Sequence, residues 1–197
     1  MKGVRIASAL AVLALAATAA DAQTTMRVRG TITAIDGNVL SVKSRDGKDL
    51  KVHVTDDVGV TVAKAIKFED IKQGDYVGST TTKRADGTLV ALEVHYLPPQ
   101  APPGHTPWDL EPGSMMTNAN VEAMVTAPGK RELTLKYKDG MQKILVPDGV
   151  PIVRAVPGNR ADLKPGEYIW AGAQVATDGK ITAPRIQVSK DGVKPPH

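Results

Sequence analysis

The chain has 197 residues, 25 Lys and Arg against 21 Asp and Glu, a formal net charge of +4, and no cysteine. Disulfides, thiolate metal ligands and a thiol nucleophile are therefore excluded, and stability has to come from burial. Acidic and basic residues interleave without a Lys/Arg block, so the mild positive charge marks no footprint for nucleic acid.

The first segment is a targeting signal. Lys2 and Arg5 precede an apolar Ala/Leu/Val run that ends at the small residues Ala20 and Ala22. That layout predicts a secretory signal peptide over 1–22, cleaved after Ala22, and the run is too short to span a bilayer comfortably. No other segment approaches spanning length. The expectation is a periplasmic or secreted protein with no transmembrane anchor after cleavage.

From Met26 the signals are those of strands. Short runs rich in Val, Ile, Leu and Thr are separated by Asp36-Gly37-Asn38 and Asp46-Gly47, and Asp86-Gly87 precedes "TLVALEVHY". Asp-Gly between such runs predicts hairpins, because glycine accepts the positive φ of a tight turn. Strict alternation in the last run puts Val90, Leu92, Val94 and Tyr96 on one face and Leu89, Ala91, Glu93 and His95 on the other, outward one.

The chain then repeats itself. "DIKQGDYVGSTT" from Asp70 returns as "DLKPGEYIWAGA" from Asp162, "SRDGK" as "YKDGM", and "RADGTLVALEV" as "ATDGKITAPRI". The offset is about 93 residues early and about 92 later. Two copies are expected, at residues 26–97 and 120–189, followed by a tail at 190–197. In the repeated phrase Asp70 and Asp162 are expected to cap a single helical turn that Gly74 and Gly166 end. Each copy then reads as five strands with one turn between the third and fourth, the order of an OB-like barrel. The predicted fold is all-β: two tandem small OB-like five-stranded β-barrels.

The pattern "GTITAIDGNVLSVKSRDGKDLKVHV…DIKQGDYV…DGTLVALEV" resembles a bacterial domain family of unknown function found in exported proteins, with an OB-like barrel expected for it. The second copy is similar to it more loosely, with Ala123-Met124-Val125 in place of Gly30-Thr31-Ile32. The resemblance implies location and fold and carries over no catalytic residue.

Between the copies, residues 98–119 hold Pro98, Pro99, Pro102, Pro103, Pro107 and Pro112. This density predicts a semi-rigid spacer of polyproline geometry. Trp108, Leu110, Met115 and Met116 are costly to leave in water and are the candidate partner-binding residues, unless they dock on their own barrels. His95, His105, Met115 and Met116 form the leading candidate metal set, with imidazole and thioether ligands suited to copper, while Asp56-Asp57 reads as a solvated acidic pair. No GxSxG motif, HExxH spacing or phosphate-cradling glycine loop occurs, so no nucleophile, base and orienter can be named together. The sequence therefore reads as a non-catalytic binding or assembly module for an envelope protein or ligand, with periplasmic copper handling as the alternative.

Overall fold

The computed structural model describes residues 24–196; the expected signal peptide over 1–22 and the terminal His197 lie outside them. In chain order the elements are β1 (Thr24–Asp36), β2 (Val39–Ser44), β3 (Asp49–His53), β4 (Gly59–Ala65), a 3₁₀ turn η1 (Phe68–Asp70), β5 (Tyr76–Lys83) and β6 (Leu89–Tyr96). The connector contributes β7 (Gly104–Pro107). Then follow β8 (Met115–Ala127), β9 (Lys130–Tyr137), β10 (Gly140–Leu145), β11 (Ile152–Pro157), a second 3₁₀ turn η2 (Arg160–Asp162), β12 (Tyr168–Val175), β13 (Ile181–Thr182) and β14 (Arg185–Val188). The all-β class is as read from the alternating runs and their Asp-Gly turns.

The long strand β1 pairs with β2 through its C-terminal half and with β12 through its N-terminal half. β2 pairs with β3, β3 with β13 in parallel, and β13 with β12, so five strands close on themselves. The interior of this first barrel is lined by Val28, Ile32, Leu40, Val42 and Val52 together with Ile169, Ala171, Ala173, Ala183 and Ile186. A second circuit runs β8–β9–β10–β6–β5 and returns to β8, around Val121, Leu133, Leu135 and Ile144 with Val77, Ala91, Val94 and Phe68.

The pairing thus cuts across the copies. The expectation of one barrel within 26–97 and another within 120–189 gives way to an exchange in which strands one to three of each copy close with the later strands of the other. Glycines in the repeated phrase show it locally. Gly74 N–H donates to Val121 O at 2.8 Å and Gly166 N–H to Ile32 O at 2.8 Å, each reaching the long strand of the opposite copy. Both glycines have φ near +90°, a conformation that a side chain disfavours. The two 3₁₀ turns end on the first residue of the repeated phrase and do not begin there. Asp70 and Asp162 are their last residues, and their carboxylates accept from the N–H groups of Lys67 and Asn159.

β4 and β11 are the crossing point. They pair antiparallel with Ala63 opposite Ala155, and one repeat later Ala63 is Ala155. A strand facing its own counterpart marks a local two-fold axis. The same relation holds outward from there, since β14 lies parallel to β4 as β6 lies parallel to β11. One continuous fourteen-stranded sheet results.

Candidate functional site

Strands β6, β5, β8 and β7 form a four-strand surface that carries most of the residues singled out by sequence. His95 lies across from Gly78, Gly78 from Asn118, and Asn118 from Gly104; two residues along, Glu93, Thr80, Met116 and Thr106 form the next row of the same face. The intervening row is Val94, Ser79, Thr117 and His105, and it faces the other way. Sheet alternation therefore separates the copper candidates, with His95 and Met116 on one face and His105 and Met115 on the opposite one. His105 Nδ1 instead sits 2.8 Å from the Thr117 hydroxyl, and partial burial lowers its pKa. Among the described residues no three His, Asp or Glu side chains cluster to hold a metal ion.

Glu93 and His95 were expected on an outward face, yet they are 4% and 3% exposed. A bulge in the β5–β6 register between Thr80 and Thr81 shifts the alternation, so Leu89 and Ala91 join Val94 and Tyr96 in the barrel interior. Glu93 and His95 do point away from that interior, but toward the rest of the molecule. The Glu93 carboxylate accepts from the Thr80 hydroxyl at 2.7 Å and stands 3.8 Å from His95 Nδ1. It also lies close enough to Tyr168 of the first barrel to add to the upward pKa shift that burial gives that phenol. Gly78 makes room here, since a Cβ on it would come within 2.5 Å of His95 Nε2.

The proline-rich connector is a strap. Tyr76 donates its hydroxyl to Ala101 O at 2.7 Å, Asn118 its amide to Pro102 O at 3.0 Å, and residues 104–107 pair with β8 as β7. The strap then crosses to the first barrel. Trp108 lies under the Arg27 guanidinium, 4.0 Å from the ring centroid, and Asp109 takes two hydrogen bonds from Arg29, at 2.8 and 3.1 Å. Those bonds, with the charges of Arg29 and Arg27, hold the Asp109 carboxyl down at about 2. Arg45 donates to the carbonyls of Asp109 and Leu110. Of the candidate partner contacts, Met116 is buried at 3% exposure, while Trp108, Leu110 and Met115 are half-buried.

A cleft of about 540 Å³ opens at one end of the second barrel, among Glu69, Arg84, Ala127, Lys130, Arg131 and Asp148. Its walls are the β8–β9 hairpin, the connection from β5 to β6, and the segment after β10. In the first barrel the corresponding place is filled by Arg160, the counterpart of Phe68 one repeat later. Arg160 donates to Thr55 O at 3.1 Å, Gly37 O at 2.8 Å and Asn38 Oδ1 at 2.5 Å, tying η2 to the β1–β2 turn. In the second barrel Phe68 is buried in the core and Arg131, in the place of Asn38, lies over its ring at 5.3 Å. Arg131 bonds Val146 O and Pro147 O and pairs with Asp148, so Arg84 and Lys130 are the more available cations of the cleft.

None of these cleft residues emerged from motif reading, because no motif holds them. One signal was present. The bulges between Ile32 and Ala34 and between Val121 and Ala123 occupy equivalent places, which aligns Gly30-Thr31-Ile32 with Ala119-Asn120-Val121 in place of Ala123-Met124-Val125. The hairpin that follows is therefore longer in the second copy, and those extra residues wall the cleft.

No family model, curated protein or solved structure matches the chain. The class is given by the fold alone: an all-β protein built around a closed five-stranded barrel.

Proposed function

We propose that the protein is a non-catalytic binding module of the bacterial envelope, exported by cleavage after Ala22, whose ligand seats at the end of the second barrel. Each circuit has antiparallel neighbours throughout except for one parallel closure, between β3 and β13 or between β10 and β6, and we assign both to the OB type. Barrels of that type take ligands between the loop joining strands one and two and the loop joining strands four and five. The observation that carries the reading is that the 540 Å³ cleft lies between those two loops, with Lys130 on one and Arg84 on the other. Pockets of this size suit a small ligand or a short stretch of a larger one. The two cations favour a ligand with at least one anionic group.

The test is recovery of bound material from envelope extract by immobilised protein, comparing wild type with an Arg84→Glu, Lys130→Glu variant. Loss of the recovered species from the variant supports the reading. Equal recovery by both proteins removes the cleft from the binding surface.

A further inference from the structure

The local two-fold relation makes each barrel a control for the other, and it exposes one seat that is filled in one and open in the other. In the second barrel β7 lies along β8, with Thr106 opposite Met116 and Gly104 opposite Asn118. The bond from Trp108 N–H to Ser114 O fixes the parity, so Met116 and Asn118 turn their backbone N–H and C=O groups toward β7. Their counterparts on β1 are Arg27 and Arg29.

In β1 the parity is the same. Ile32 N–H donates to Glu167 O on the β12 side, and Arg29 O accepts from Arg45 N–H on the opposite side. Counting back by two, Thr25 and Arg27 direct their N–H and C=O groups to that opposite side, where β2 has already ended. Among the described residues no strand pairs with this stretch of edge. Beside it lies a groove of about 250 Å³ lined by Met26 and Leu50, by Arg27, Arg29, Arg45 and Lys48, and by Asp46.

We propose that this edge of β1 is a docking site for an extended acidic segment of a partner protein, which adds a strand to the first barrel as β7 does to the second. Backbone bonding to Thr25 and Arg27 supplies the affinity common to strand addition, and side-chain recognition supplies the choice of partner. Four cations line or flank the groove against two carboxylates, Asp46 and Asp109. That excess of positive charge disfavours a second copy, whose own Arg27 would come to the same place. Met26 and Leu50, both packed against the first core, give apolar contact to alternate residues of the incoming strand. The partner strand therefore alternates carboxylate and β-branched side chains. The strap strengthens the site, because Trp108 and Asp109 hold Arg27 and Arg29 in place.

The probe is a blocked seven-residue peptide alternating glutamate and valine, titrated into the full chain while amide hydrogen exchange is followed. Binding with slowed exchange at Thr25 and Arg27 is the expected result. Thr25→Pro, which removes one edge donor where proline is tolerated, should weaken binding about tenfold, a change of about 1.4 kcal/mol. Lys48→Glu, an exposed substitution that leaves the backbone intact, should weaken it as well, and a lysine–valine peptide should not bind. Four outcomes overturn the proposal: no binding; equal binding of the glutamate peptide after N-methylation at alternate residues, which means charge attraction alone; protection that falls elsewhere; or self-association of the free protein through this edge.

Discussion

The two barrels share a frame and differ at two places, in opposite senses. The first has its end plugged by Arg160 and leaves the outer edge of β1 open; the second has that edge covered by β7 and its end open as a cleft. Where the differences fall follows from what holds each part. The strands are fixed by shared interiors that mix residues of both copies, so neither copy can drift there without damaging both barrels. Hairpins and edges answer only to local turn chemistry and solvent, and they are free to diverge. A duplicated frame thus offers two unlike surfaces.

The exchange itself gives the largest expected effect. If each copy were its own barrel, residues 24–97 would fold alone. With exchange, that fragment lacks β12 and β13 for one interior and β8, β9 and β10 for the other. Each lost Ile or Leu contact removes about 1.5–3 kcal/mol of burial, against a total domain stability of about 5–15 kcal/mol. The isolated fragment should show no cooperative thermal transition, whereas a chain nicked at the exposed strap residues 111–113 should elute intact on gel filtration. A cooperative melt of the fragment, or separation of the nicked halves, would restore one barrel per copy.

The barrel ends sharpen the comparison at a smaller scale. Phe68 and Arg160 are counterparts, but Phe68 is a full core side chain and Arg160 is a half-buried one holding three hydrogen bonds. Phe68→Ala should cost about 3–5 kcal/mol. Arg160→Ala should cost about 1 kcal/mol and loosen the β1–β2 turn. Denaturant midpoints of the two variants decide it, and equal losses would mean that the two ends are built alike after all.

How much of this was legible in the residues depends on the kind of information each one carries. Alternation and Asp-Gly punctuation name strands and turns, because a buried face and a positive φ are local demands. The repeated phrase names two copies for the same reason. Partner choice is a different matter: the pattern of Val28, Ile32 and Leu40 states that a face is buried but not whose strands cover it, so the exchange was not written in either copy. Glu93 and His95 show the limit on the other side. They alternate outward as a surface pair does, and only the crossing of β4 and β11 turns that outward face into the inside of the molecule. The one trace of the cleft in the residues is the lengthened hairpin before Lys130, which appears once Ile32 is aligned with Val121.

The smallest effect concerns the strap. Asp109 has its folded-state pKa held at about 2, below the ordinary value near 3.8, chiefly by the hydrogen bonds from Arg29. A carboxyl depressed in the folded state contributes stability that is complete above its unfolded pKa and is lost as the pH falls toward the folded one. The strap on the first barrel should therefore weaken between about pH 4 and pH 2. Asp109 is half in solvent, so the change is modest and salt-sensitive. Trp108, seated under Arg27, gives a local readout: its fluorescence should shift over that window ahead of global unfolding and respond less in Asp109→Asn. An identical acid profile in the two proteins would show that the Asp109–Arg29 pair adds nothing to the strap's seat on the first barrel, which then rests on the Arg45 bonds to the Asp109 and Leu110 carbonyls and on Trp108 under Arg27.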